Sequence, residues 1–238
     1  MSKLLLIRHA QASLLAADYD NLSEKGYAQS ELLGEYLSSN SFQFDKIYMG
    51  TLRRHRQTFE TVQAVYETNH LSLPSPIPLE ELNEHRGMET MDQISGLLAE
   101  HYPTFRAWNQ EMKTNPTAKL KMKIVDTFLN IWAKDDFKFD FPEGVQRFSD
   151  FNATARRGLD KVLQGNEQGK NIAVFSSGGC IGAMLGKVLG MEDPVKVMGL
   201  NLVMVNAAMS EVLFSGNRIS LKTFNHTPHL TEEMVTTM

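Results

Sequence analysis

A rhythm constrains this chain more than any other feature. Three short apolar runs, at residues 4–7, 47–49 and 172–175, each lead through a polar or glycine-rich stretch into a segment with helical periodicity. Short, nearly continuous runs of Leu, Ile, Val and Phe read as strands buried on both faces. Parallel neighbours need a crossover of a dozen or more residues, which a helix supplies. The alternation therefore predicts an α/β fold of three layers, α/β/α, around a mostly parallel central sheet. In an open sheet of this kind the ligand crevice lies outside the carboxyl ends of the strands. Function is to be sought in the segment just past each apolar run.

Local signals fill in the elements. A polar loop through Asp18, Asp20 and Asn21 leads to Ser23, an N-cap for a helix that sets Leu32, Leu33, Tyr36 and Leu37 on one face. Residues 44–49 form the second predicted strand. Residues 53–66 come next as a helix carrying Thr58, Val62, Val65 and Tyr66. Pro74, Pro76 and Pro78 mark an extended connection. Residues 90–140 carry Trp108, Met112, Met122, Phe128 and Trp132 at helical spacing, broken at Pro103 and Pro116, with no strand signal. They read as a helical insertion within a single domain spanning 1–238. A cap over the site and a peripheral helical pair that only adds core fit it equally. Beyond it come a helix from Val145 to Val162, a strand at 171–175 and a helix at 179–189 closed by Gly190. Asp193-Pro194 then starts a short helix. Strands at 202–213 and 219–223 turn around Ser215-Gly216-Asn217.

The first strand ends in Arg8-His9, the second runs into residues 50–58, and the third into Ser176-Ser177-Gly178-Gly179 at the start of a helix. Arg-His alone is a weak signal; its company raises it. These segments resemble the histidine phosphatase superfamily, also called phosphoglycerate mutase-like. The family's Arg-His-Gly motif falls on Arg8-His9-Ala10. Its Leu-x-Arg-x-x-Gln-Thr pattern falls on residues 52–58 and selects Arg54, and its Leu-x-Glu falls on Leu82-Asn83-Glu84. Leu22-Ser23-Glu24-Lys25-Gly26 with Gln29 and Leu33-Gly34 resembles its first helix entry. Residues 206–210, Asn225 and His229-Leu230 match weaker C-terminal patterns. The likeness spans nearly the whole chain outside the insertion.

The resemblance implies that His9 attacks phosphorus and forms a phosphohistidine. Glu84 would protonate the leaving alkoxide and later activate water, with no cofactor and no metal. Elementary chemistry agrees. A phosphate monoester dianion repels nucleophiles, so cations must neutralise its oxygens. Arg8 and Arg54 can do so with two parallel hydrogen bonds each, which lysine cannot. An imidazole between two guanidinium groups stays neutral and nucleophilic. Ser177 and Gly178 stand at a helix N-terminus, where backbone N–H groups favour an anion; alone, such a turn is only a tight strand-to-helix connection.

The pattern also breaks. The family's second histidine is replaced by Ser177, which can donate one hydrogen bond but no charge. The family's Gly-x-Thr continuation is Ala10-Gln11-Ala12 here, and an asparagine that often binds phosphate is Leu15. Gln11 or Ser13 are candidate replacements. Residues 82–88 lack the pattern of glycolytic mutases. His55, between Arg54 and Arg56, is expected on a solvated helix face, although turned inward it would replace the missing imidazole. His85 and Arg86 are either substrate contacts or surface loop residues. His226 and His229 are expected in packing or loop hydrogen bonds, and Cys180 as a buried, inert thiol.

A net charge of −4 gives no reason to expect a nucleic-acid partner, so an anionic substrate must be drawn by a local arginine cluster. The single cysteine excludes an intrachain disulfide and suits a reducing compartment. The apolar start is too short for a signal core, and no stretch has membrane-spanning length. A cytoplasmic protein without membrane partners is expected; the sequence does not specify an oligomeric state. The expected activity is hydrolysis of a phosphomonoester, on a small phosphorylated metabolite or a phosphoprotein. A catalytically silent phosphate-binding module and, further off, a phosphoglycerate mutase are the alternatives.

Overall fold

The computed structural model describes residues 1–13, 20–166 and 168–237. Leu15 and Asp18 lie outside them. Among the described residues six strands form one sheet in the order β3-β2-β4-β1-β5-β6. These are β1 (Ser2–Arg8), β2 (Lys46–Met49), β3 (Ile77–Pro78), β4 (Asn171–Ser176), β5 (Met209–Ser215) and β6 (Arg218–His226). β1, β2, β3 and β4 run parallel, while β5 and β6 are antiparallel and close one side of the sheet.

The alternation of side chains along each strand divides the core in two. Leu5, Ile7, Ile47, Met49, Ala173 and Phe175 face α1 (Glu24–Ser39) and α2 (Arg53–Thr68), meeting Leu33, Leu37, Phe59, Val62 and Tyr66. Leu4, Leu6, Ile172 and Val174 join the core of the other face. The helices there include four in a row, α3 (Gly87–Gln93), α4 (Ser95–His101), α5 (Pro103–Thr114) and α6 (Ala118–Lys134). They also include α7 (Phe148–Leu163) and α8 (Gly178–Val188). The three expected layers are present.

Caps explain several boundaries. Ser23 accepts from the Gly26 N–H at 3.0 Å, and Thr117 caps α6 through Leu120 N at 3.1 Å. Asp193 accepts from Val195 N at 2.9 Å and opens α9 (Pro194–Val203). That helix corrects the reading of 202–213 as a strand. A short apolar run such as residues 202–205 fits either element by periodicity. Once Asp193-Pro194 nucleates the helix, it continues through Leu202 and Val203, and the strand starts only at Met209. The expected turn at residues 215–217 is present, with Gly216 at φ 55°, the left-handed region glycine tolerates.

Helices α3–α6 join the core that holds Leu4 and Leu6 through Phe105, Phe128, Leu129 and Trp132, with α6 packed against α7 and α9. Trp132 is fully buried and donates its indole N–H to the Gln146 carbonyl at 2.9 Å, while Met122 stays exposed. No described helix is long and apolar enough to cross a membrane.

Candidate active site

Parallel register gathers three loops at one edge. Arg8 pairs with Ser176, and Met49 with Phe175. The ladder then runs one step past the strands: His9 N–H donates to Ser176 O at 2.8 Å, and Gly50 N–H to Phe175 O at 3.0 Å. The loop from Leu82 to Glu84 is tied to the same edge. Ser176 Oγ donates to Leu82 O at 2.6 Å, and Asn83 accepts from Thr51 N–H at 2.7 Å.

Side-chain alternation sends Arg8 and His9 to opposite faces of the sheet. Arg8 follows Leu4 and Leu6, and its Nη1 donates to the Met204 carbonyl beyond α9. His9 follows Leu5 and Ile7 toward α2. His9 Nδ1 lies 2.7 Å from Ala10 O, and Arg54 Nε donates to His9 Nε2 at 3.1 Å. The two contacts together fix the tautomer: the proton is on Nδ1, and the lone pair is on Nε2. Burial first, then the Arg54 and Arg8 guanidinium groups and the His55 ring, hold His9 well below the usual histidine value. It is a neutral imidazole at pH 7.

Arg54 is the hub. Besides His9, its Nη1 meets Asp20 Oδ1 at 2.7 Å, and its Nη2 reaches Ser177 Oγ at 3.5 Å. The Asp20 carboxylate also accepts from Arg53 N–H at 2.8 Å. It thereby caps α2, whose own N-cap residue Leu52 offers no side-chain acceptor. Nothing in the sequence beyond a polar loop marks Asp20 for this position.

The largest departure from expectation is His55. It is not on a solvated face: it is 0% exposed, with Nε2 2.6 Å from Ser177 Oγ and its ring centroid 5.6 Å from that of His9. The reason is where α2 begins. Its first turn abuts the sheet edge, so Arg54 and His55 both turn onto strand ends, and Arg56 takes the water-facing side. Gly50 makes the room; a Cβ there would fall 2.3 Å from His55 Nδ1 and 2.8 Å from Leu82 O. Burial, and then Arg54, hold His55 well below its usual value, so it too is neutral.

Glu84 lies at the N-terminus of α8. Its Oε2 accepts from Gly179 N–H at 3.1 Å, and its Oε1 from the His85 N–H at 2.9 Å. A Cβ at Gly179 would stand 2.2 Å from Glu84 Oε1, so a larger residue here displaces that carboxylate. At Gly178 a Cβ would fall 2.5 Å from Asn201 Oδ1 and 3.4 Å from Arg8 Nε, so backbone and guanidinium approach closely here.

The remaining candidates are spread around this centre. Gln11 and Ser13 lie beside the entry to α1: Gln11 Oε1 accepts from Ser23 Oγ at 2.9 Å, and Ser13 N–H donates to Asn21 O at 2.7 Å. His85 is half-buried, edge-on to Trp132 and Phe151 with ring centroids 5.3 Å away, whereas Arg86 is exposed. His229 packs near Tyr36 and is lowered to about 4 by burial; His226 is exposed. Burial pushes the Cys180 thiol up to about 12, which leaves it inert.

The model of the histidine phosphatase superfamily (branch 1) matches residues 4–125 and 86–227, a span that holds Arg8, His9, Arg54, Glu84 and Ser177. The chain belongs to this superfamily. Solved structures share its fold at low identity. The phosphoserine phosphatase of Entamoeba histolytica, solved with phosphoserine, is similar at 18% identity and TM-score 0.64, over 97% of this chain and 100% of that one. A mycobacterial glucosyl-3-phosphoglycerate phosphatase is similar at 20% identity and TM-score 0.59, over 94% and 99%. An α-ribazole-5′-phosphate phosphatase described as putative, from Escherichia coli, is similar at 18% and 0.61, over 97% and 100%. No curated protein sequence matches this chain.

Proposed function

We propose that the chain hydrolyses a phosphomonoester through a phosphohistidine on His9. One observation carries this reading. The Nδ1 proton is held by Ala10 O, so the Nε2 lone pair points at Arg54 Nε, 3.1 Å away, inside a cationic pocket. On binding, the phosphoryl group takes the place of Arg54 Nε before that lone pair. Arg54 and Arg8 then neutralise its equatorial oxygens. The Nε2–P bond forms as the P–O bond to the leaving group breaks, and Glu84 passes a proton to the departing alkoxide. Water then attacks phosphorus, Glu84 takes its proton, and inorganic phosphate leaves with His9 neutral again. Ser177 and Gly178 hold phosphate oxygens. Gln11 and Ser13 stand farther along the same loop, as a second tier.

The site is recessed: His9 is 3% exposed and Arg54 6%. A recessed anion site favours a small phosphorylated metabolite over a phosphoprotein, in keeping with the phosphoserine phosphatase and glucosyl-3-phosphoglycerate phosphatase that share the fold. We read residues 90–140 as an insertion that walls the leaving-group side, because Trp132 of α6 packs on His85 next to Glu84. The single buried thiol suits the cytoplasm.

Incubation with a 32P-labelled phosphomonoester tests the reading. Expected is an acid-labile adduct on His9, absent in His9→Ala, with release of phosphate to water and none to 3-phosphoglycerate or its bisphosphate. Unchanged hydrolysis in His9→Ala refutes it. The rival reading, a binding module without turnover, is favoured by Ser177 alone; it predicts phosphate binding with no release from any ester.

A further inference from the structure

Ser177 occupies the N-cap of α8, yet its hydroxyl caps nothing there. A serine at that position ordinarily accepts from the helix's own N–H groups, with a stabilisation of about 1 kcal/mol. Here the hydroxyl turns instead to His55 Nε2, at 2.6 Å, in a contact closed to solvent on both sides. The backbone has been cleared for this ring, since no residue larger than glycine fits at position 50. A buried imidazole beside a guanidinium is costly to keep, and the His9 mechanism leaves it unused.

We infer that His55 and Ser177 work as one unit on the transferring phosphoryl group. The Ser177 hydroxyl donates to a phosphoryl oxygen, and His55 Nε2–H holds and polarises that hydroxyl from behind. Ser177 is then the residue that touches the anion, and His55 is a positioning residue that acts through it. This rests on the proposed His9 chemistry and goes beyond it, by assigning an imidazole that reaches the site from α2.

The groups around the His55 ring permit this. Arg54 adjoins it on α2, His9 faces it from the end of β1, Ser177 from the end of β4, and the Gly50 backbone and Leu82 carbonyl close the far side. No carboxylate is in hydrogen-bonding contact with the ring among the described residues. Before an anion enters, burial and the Arg54 guanidinium favour a neutral ring, whose Nε2 can accept the serine proton. An entering phosphate dianion offers the hydroxyl a better acceptor. Its negative charge also favours a proton on Nε2, taken up from water as the anion binds, so the serine keeps its own proton and turns its O–H from the ring to the anion.

A double-mutant cycle tests the pairing. His55→Ala and Ser177→Ala should each lower kcat about a hundredfold with KM changed little, the size expected for one preorganised donor. The double variant should lose about as much as either single one, because the two act together. His55→Gln keeps an Nε2–H donor and cannot titrate. It should recover activity to within about tenfold and lose the part of the kcat–pH profile that belongs to an imidazole. Losses that multiply to about ten-thousandfold, His55→Ala within about threefold of wild type, or a His55→Gln profile identical to wild type would each overturn the inference. Binding of orthovanadate and of inorganic phosphate supplies a readout without turnover. His55→Ala and His55→Gln, each checked for native melting, are compared with wild type. The pairing predicts that His55→Ala weakens vanadate at least tenfold more than phosphate; equal effects, or no vanadate binding by wild type, refute it. A wild-type protein that binds vanadate in this way but hydrolyses no ester overturns the hydrolase reading and leaves the pairing standing.

Discussion

At the amino edge of the sheet, Asp45 accepts from Asn171 N–H at 2.8 Å and from Lys170 at 2.9 Å, and water reaches both charges. Ser2 ties Asn166 and Lys170 together through its hydroxyl. At the carboxyl edge of the same strands, Arg8, His9, Arg54, His55 and Ser177 are all buried. The amino edge pairs opposite charges in solvent, at small gain and small cost. The carboxyl edge crowds two guanidinium groups against two imidazoles whose protonation they suppress. Desolvation on that scale serves stability poorly, so the difference is what the proposed anion site requires at the carboxyl edge.

His9→Ala bears hardest on this contrast. Turnover should fall at least a thousandfold, while the melting temperature stays within a few degrees, because a desolvated ring is removed. A stability collapse without an activity effect would make His9 an ordinary core residue. Arg54→Lys comes next. It keeps the charge but loses the fork that meets His9, Asp20 and Ser177, and should cost about a hundredfold in kcat/KM. A value near wild type would reduce Arg54 to a point charge.

Gly179→Ala sharpens the comparison through backbone space. The new methyl displaces Glu84 and should lower kcat tenfold to a hundredfold. Gly96→Ala in α4, where a Cβ meets nothing within 4 Å, should stabilise by about 0.5–1 kcal/mol with activity intact. Urea titrations at pH 7, 6 and 5 probe the buried imidazoles. His9 and His55 titrate in the folded chain well below 6.5, so below about pH 6.5 the unfolded chain binds more protons. Stability should then fall as pH drops, with a slope of up to about 1.4 kcal/mol per pH unit for each ring. His55→Gln should remove one ring's share; an unchanged slope would mean that its ring is hydrated.

Asp45→Asn is the smallest change. The Asn171 N–H and then Lys170 hold the carboxyl below its ordinary value, so its contribution is present at neutral pH and lost as pH falls through the folded value. The variant should lose about 1 kcal/mol or less and hydrolyse substrate at the wild-type rate. An activity loss would dissolve the distinction between the two edges.

The strand ends are legible in the sequence because Arg8-His9 and Gly178-Gly179, each a weak signal alone, follow apolar runs that parallel strands bring to one edge. Arg54 and Glu84 are legible through their motifs. The segment at 202–213 misleads because periodicity does not separate a capped helix from a strand over the four apolar residues 202–205. His55 reads as solvated because it lies between two arginines, and charge runs usually are solvated. Asp20 gives no signal, since a capping carboxylate contributed from a distant loop leaves no spacing to read.

Taken by itself, the order of residues determined the layered architecture, the edge at which the proposed site sits, and the arginine, histidine and carboxylate proposed to act there. Those come from periodicity and from the direction of parallel strands. The direction in which the His55 ring points was decided only in three dimensions. A helix residue faces whatever its neighbours leave open. Here the space comes from Gly50 and the partner from Ser177, far apart along the chain and brought together only by the register of β2 on β4.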